Sequence, residues 1–187
     1  MNTKSLLLQV ATELFASHGY DGIGVQQIVE RAGVSKPTLY HYFGSKEGLL
    51  AALLEQLEPF INDVQSRSLY QGDLPMSLKG ALSTFVEFAR DREALFRLFR
   101  SMSHMPRDTT SARAIAPSVR KILAVLEALF AAASIDHGNM QGKSRLLAIN
   151  FFSICVTYST LFVEGHVPWS EEMMHQVLHL FSHGIYS

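Results

Sequence analysis

Lys36, Thr38, Tyr40, His41 and Tyr42 bring an ammonium, a hydroxyl, two phenols and an imidazole into one short run. Such groups hydrogen-bond and stack, and so many aromatics are too crowded for an ordinary solvated surface. Leu39 and Phe43, four apart, give the same run an apolar edge. No Gly-rich phosphate loop and no acidic pair of recognisable spacing accompanies them, so the chemistry they offer is recognition. The elements that must position them are also readable. Val25, Ile28, Val29 and Ala32 share one helical face, and Gly33 breaks the pattern with a residue that tolerates positive φ. Ser35 can cap a new helix, with Pro37 in its first turn, where a missing N–H costs nothing. A helix, a tight Gly turn and a second helix with hydrogen-bonding groups at its N-terminal end form a helix-turn-helix, whose second helix enters the DNA major groove.

Ala32-Gly33-Val34-Ser35, Thr38-Leu39-Tyr40, Phe43, and Ser45-Lys46-Glu47 with Leu49-Leu50 together resemble the tetracycline-repressor (TetR) family of one-component bacterial transcription regulators. The resemblance covers about the first third of the chain. One departure is Ile23-Gly24, where the family usually opens its second helix with Ser or Thr. Gly is a tolerable N-cap, so a slightly weaker helix start and one lost hydroxyl-to-phosphate bond are expected. The resemblance implies that Thr38, His41 and Tyr42 face bases and backbone, that Tyr40 and Lys46 bind phosphates, and that Ser35 and Lys36 sit at the rim; Pro37 belongs to the same DNA-binding set. It also implies a homodimer on double-stranded operator DNA, paired through its final two helices as a four-helix bundle, and a small-molecule effector.

Composition sets the bounds. A chain of 187 residues with 48% hydrophobic content can build a real core as one domain or two small ones. Its net charge of −1 argues weakly against nucleic-acid binding. Within residues 1–50, Lys4, Arg31, Lys36 and Lys46 balance Glu13, Asp21, Glu30 and Glu47, so a shallow salt dependence is expected. Positive charge is in excess at 90–121, with Arg90, Arg92, Arg97, Arg100, Arg107, Arg113, Arg120 and Lys121. A lone Cys155 excludes an internal disulfide, and the N-terminus lacks the shape of a signal peptide; a cytoplasmic location is expected.

In chain order, hydrophobic spacing predicts a first helix over 4–17 and, after the helix-turn-helix, a fourth from Ser45 with Leu50, Leu53, Leu54, Leu57, Ile61 and Val64 along one stripe, interrupted by Pro59. Residues 70–75 read as a loop, with helices from 76 or 77 and from 93. Residues 111–118 read as a weakly patterned connection before a helix from 119, and 134–142 as a loop. Residues 143–164 are apolar nearly all round, but Asn150, Ser153, Thr157, Ser159 and Thr160 dilute a membrane span, and a helix buried on two sides is expected. A last helix, 171 to about 185, carries Met174, Val177, Leu178, Phe181 and Ile185. The chain therefore reads as all-α with about nine helices. A helix-turn-helix domain at 1–46 is joined by a long helix to a helical effector-binding and dimerisation domain at 47–187.

Phe85, Phe88, Phe99, Met102, His104, Met105, Phe152, Cys155 and Tyr158 are candidates to line an effector pocket, although Phe and Met at helical spacing also make ordinary core. The lining suits a mainly apolar effector, and Arg97 and Arg100 raise an anionic one such as a fatty-acyl derivative. His175, His179 and His183 recur every four residues, so neighbours could share a metal ion, but a polar stripe beside the dimer seam is the simpler reading. No metal, cofactor or membrane partner is expected, and Cys155 reads as a buried inert thiol. The competing reading is a helical ligand carrier or enzyme with a degenerate DNA-binding motif.

Overall fold

The computed structural model describes residues 2–184, which form ten α-helices and two 3₁₀ turns with no strand. Ile185, the expected last apolar position, lies outside the described residues. The chain divides into two compact units, one of residues 1–58 with 92–119, the other of 59–91 with 120–187.

The first unit opens with α1 (Thr3–His18), α2 (Val25–Ala32), α3 (Lys36–Phe43) and α4 (Lys46–Leu54). Their core is Leu7, Ala11, Phe15, Ile28, Leu39, Leu49 and Leu53, all fully buried. Side-chain caps fix where three of these helices begin, because Asn2, Ser35 and Ser45 each accept an otherwise orphaned first-turn N–H. A seventh helix, α7 (Glu93–Ser103), lies against α1, and Arg97 Nη2 donates to Ser17 Oγ at 3.3 Å. The packing thus draws its line elsewhere than the expected division at 46/47. Leu49, Leu50 and Leu53 of α4 are needed to fill the helix-turn-helix core, and α7 covers α1.

The expected fourth helix is broken. It ends at Leu54, passes through a 3₁₀ turn at Glu55–Leu57 and resumes as α5 (Glu58–Arg67). Pro59 has no N–H for the carbonyl of Glu55 and its ring crowds that carbonyl, so Glu58 N–H takes it instead, three residues back. Expected loops and connections are also helix in part or whole. α6 (Leu74–Asp91) starts within 70–75, because Asp73 Oδ1 accepts from Met76 N at 2.9 Å and Pro75 suits a first turn. α8 (Thr110–Asp136) runs through 111–118, capped by Thr109 Oγ1, which accepts from Ala112 N at 3.1 Å. Ser111, Ile115, Ser118 and Ile122 form its buried stripe, and two serines in that stripe hide the helical pattern. Pro117 lies inside the helix.

In the second unit α6 packs on α9 (Ser144–Val163), with α10 (Glu171–His183) against α6. Phe60 stacks on Phe88 at 4.2 Å and meets Phe85 edge-on at 4.9 Å, while Phe151 touches Phe130 and Phe181 at 6.0 and 5.0 Å. α9 is long and apolar enough to cross a membrane by length and composition alone. Ala148, Phe151, Cys155 and Ser159 make its buried face, whereas Leu146 and Ile149 are exposed.

Gly80 marks a close helix crossing. A methyl there would run into the carbonyl oxygen of Arg67 at the end of α5. Ala is about 1 kcal/mol the better helix former, but overpacking costs about 1–3 kcal/mol, and backbone yields less readily than a side-chain tip. Gly80→Ala is expected to lower the thermal midpoint by about 2–6 °C in a melting experiment. An unchanged or raised midpoint would show that Arg67 yields freely.

Candidate nucleic-acid interface

The turn that aims α3 is built by backbone geometry. Gly33 adopts the left-handed conformation (φ 65°, ψ 32°), which lets its own N–H reach Glu30 O at 3.2 Å and Val34 N–H reach Val29 O at 3.0 Å. Ser35 then caps α3, its Oγ accepting from Thr38 N at 3.3 Å and pairing with Thr38 Oγ1 at 2.8 Å. Leu39 is fully buried and Phe43 half-buried, and they fix which face turns outward. Ser35, Lys36, Pro37, Tyr40, His41 and Tyr42 are exposed, with Thr38 half-buried beside them. The large rings Tyr40 and Tyr42 are 45% and 41% exposed, and His41 sits edge-on to Tyr42 at 5.3 Å. One helix of this unit and its N-cap residue therefore gather every predicted DNA-binding residue except Lys46.

Lys46 is tied inward. Its Nζ donates to Tyr20 O at 2.6 Å and stands 4.1 Å from the centroid of the Tyr20 ring, a carbonyl and a π face that together compete for the ammonium. Burial lowers its pKa, against the pull of Asp21 and Glu47. The phosphate clamp expected from sequence is, in this structure, a brace between the α1–α2 turn and the start of α4. Tyr20 completes the brace, its hydroxyl donating to Glu47 Oε1 at 3.3 Å. No spacing rule finds this cluster, because its partners lie 26 and 27 residues apart. The weak start of α2 has a local remedy that was readable. Gly24 N–H donates to Gln27 Oε1 at 2.7 Å, the reciprocal arm of a capping box whose serine is missing.

Burial, then the neighbouring Glu47, pushes the Tyr20 phenol from 10.0 up to about 12. A raised folded pKa means that stability is fully present below pH 10 and is lost as pH climbs toward 12, by about 2–3 kcal/mol for a shift of this size. Lys46 acts with the opposite sign, because its lowered pKa makes folding gain as pH approaches the ordinary lysine value. Phe in place of Tyr keeps the ring beneath Lys46, so that opposing contribution largely cancels in the difference. Tyr20→Phe is expected to flatten the alkaline fall in stability, measured by denaturant unfolding at pH 9 and 11; an equally steep fall would remove Tyr20 from that role.

The candidate effector residues are distributed over both units. In the first, Phe99 and Met102 are buried on α7, Met105 is exposed, and His104 Nδ1 lies 2.8 Å from Arg100 O at the helix end. In the second, Phe85 and Phe88 are buried, Phe152 meets Phe85 edge-on at 5.9 Å, Tyr158 is half-buried and Cys155 is fully buried. Burial pushes the Cys155 thiol far up, away from nucleophilic chemistry. Arg97 reaches Glu93 and Ser17 through its terminal nitrogens, while its Nε is buried without a partner. A separate groove of about 330 Å³ on the second unit shares none of these residues; it runs between Met76 and Lys79 of α6 and Met174, His175, Leu178, His179 and His183 of α10.

An all-helical chain that seats a short, capped, outward-facing aromatic helix behind a left-handed glycine turn is a helix-turn-helix DNA-binding transcriptional regulator. Residues 7–53 match the family model of bacterial regulatory proteins, tetR family. The match runs from within α1 to within α4 and takes in α3 and its turn. The chain is 28% identical over 163 residues, 87% of this chain and 73% of the relative, to the HTH-type transcriptional activator FasR of Mycolicibacterium smegmatis. Its fold is similar to that of the transcriptional regulator FadR from Bacillus subtilis in complex with stearoyl-CoA, with a TM-score of 0.76, 21% identity, and coverage of 97% and 99% of the two chains. It is also similar to AibR in complex with isovaleryl coenzyme A and operator DNA, with a TM-score of 0.70, 19% identity, and coverage of 95% and 94%.

Proposed function

We propose that the protein is a cytoplasmic homodimer that binds an inverted-repeat operator through α3 of each subunit and is released by a small-molecule effector, repressing where the operator overlaps a promoter. The observation that carries this is the outward face of α3, where Lys36, Thr38, Tyr40, His41 and Tyr42 stand together over a buried Leu39. Thr38, His41 and Tyr42 read base edges and backbone, Tyr40 meets phosphate, and Ser35, Lys36 and Pro37 form the rim. Lys46 supports this surface first as a brace, and its remaining donor capacity serves a phosphate at the start of α4, where the helix dipole also favours an anion. Two recognition helices related by a two-fold axis must meet major-groove faces about 34–36 Å apart or a multiple of that.

The effector class we favour is an acyl thioester of coenzyme A. Aromatic and methionine side chains suit its acyl part, and the arginine excess at 90–121 suits its phosphates. The bound molecules named for FadR and AibR support the same class. α7 packs directly on α1, so a ligand that shifts α7 is felt in the helix-turn-helix core with no further intermediary. A coupling of about 1–3 kcal/mol would change DNA affinity roughly 5- to 150-fold.

Selection of duplex fragments from a mixed genomic pool at physiological salt, followed by addition of stearoyl-CoA, tests both parts. The expected result is a set of retained fragments sharing an inverted repeat, released by the thioester. Retention of no selective fragment would leave a ligand carrier. Selective fragments that stearoyl-CoA and shorter acyl thioesters fail to release would overturn the effector class alone.

A further inference from the structure

We propose that α10 carries a two-imidazole chelate for a borderline divalent transition-metal ion, Cu²⁺, Ni²⁺ or Zn²⁺, with His179 as the obligatory member. His175, His179 and His183 follow one another at i, i+4 and i+8, which stacks them on one helical face above the groove against α6. The rings are already neighbours, with centroids 6.0 Å apart for His175–His179 and 4.5 Å for His179–His183. Imidazole nitrogens bind Zn²⁺ at about 2.0–2.1 Å, so a tetrahedral ion needs its two nitrogens about 3.3 Å apart. Exposed rings on adjacent turns reach that spacing by side-chain rotation alone.

Two carboxylates beside the groove have partners of their own. Glu171, one turn before His175, accepts from Lys79 Nζ at 2.7 Å, and Asp73 caps α6 through Oδ1. Among the described residues no three His, Cys, Asp or Glu side chains are placed to hold one ion. The site is therefore a pair, with water completing the shell. Because His179 belongs to both possible pairs, one chain holds one ion in either of two overlapping arrangements. Neutral imidazoles, rather than thiolates or carboxylates, select copper, nickel and zinc over magnesium or calcium, and Cu²⁺ should bind tightest.

The test is titration of the untagged full-length protein with Cu²⁺, Ni²⁺ and Zn²⁺ against a chromogenic chelator, with alanine variants at each position. Alanine favours helix and the three side chains are exposed, so the fold is expected to persist, checked by circular dichroism. His179→Ala removes both pairs and leaves single imidazoles, an expected affinity loss of about 100-fold, the lower end of what linking two weak ligands supplies. His175→Ala and His183→Ala each leave one pair intact, so each should lose about twofold on statistical grounds. One ion per chain with this ranking supports the chelate. An unaffected His179→Ala, an equally large loss in all three variants, or one ion per two chains would overturn it.

Discussion

Leu146→Glu combined with Ile149→Glu is expected to convert the protein to monomers and to weaken operator binding about 100-fold or more. Both side chains are large, apolar and open to solvent, at 64% and 41%, on a helix whose other face is packed into the second unit. Leu180 on α10 is 54% exposed as well. Apolar groups left on the surface at i and i+3 of so hydrophobic a helix mark an association face. Removing such side chains from water is worth roughly 25 cal/mol per Å², and two buried carboxylates facing their own copies across a two-fold axis would reverse the sign. The substitutions should spare the protomer because neither position contributes to its core. The affinity loss follows from linkage. Two recognition helices on one dimer bind two half-sites as one event, and linking of that kind is commonly worth about 10²- to 10⁴-fold. Light scattering with size exclusion reads the mass, and gel shift on the selected operator reads the affinity. A stable dimer with full affinity from the double variant would place the interface on another surface.

The parts of this fold that sequence exposes are those whose causes are local. α3 was legible to the residue because a glycine turn and a serine cap just before it, and an early proline and a buried leucine within it, are all local signals. The brace at Lys46 was not, because a cation placed over a ring 26 residues away is a tertiary fact, and a lysine beside a helix start reads equally well as a phosphate ligand. The start of α8 was hidden for a different reason. Its buried stripe uses Ser111 and Ser118, which hydropathy counts as outside positions, and Pro117 reads as a stop although it lies within the helix. Pro59 was visible as an interruption, but whether a proline bends, breaks or merely tightens a helix depends on what packs around it. The effector residues show the limit most plainly. A Phe or Met at helical spacing satisfies core and pocket alike, and side chains such as Phe85 and Phe88 prove to be packed against other rings.

Replacing Thr38 and His41 together with alanine is expected to abolish most discrimination between the operator and random duplex while leaving non-specific binding nearly intact. These are the short hydrogen-bonding groups of α3 assigned to base edges, and each good base contact is worth about 1–3 kcal/mol, so the pair accounts for about 2–6 kcal/mol, or roughly 30- to 10⁴-fold in selectivity. Neither is a core residue, and alanine favours helix. Ser35 Oγ keeps its bond from Thr38 N, so the cap of α3 survives the loss of the Thr38 hydroxyl. Tyr40→Ala and Lys36→Ala give the contrasting pattern. Tyr40 carries no charge, so its loss should weaken every sequence alike without changing the salt dependence. Lys36→Ala should likewise act on all sequences but lower the slope of log K against log salt by about 1 per subunit, a large share of a slope that balanced charge in residues 1–50 keeps shallow. Competition gel shifts with operator and scrambled duplex at several salt concentrations separate these outcomes. Selectivity preserved in the Thr38/His41 double variant would mean that Tyr42 or the shape of the duplex, rather than those two side chains, reads the sequence.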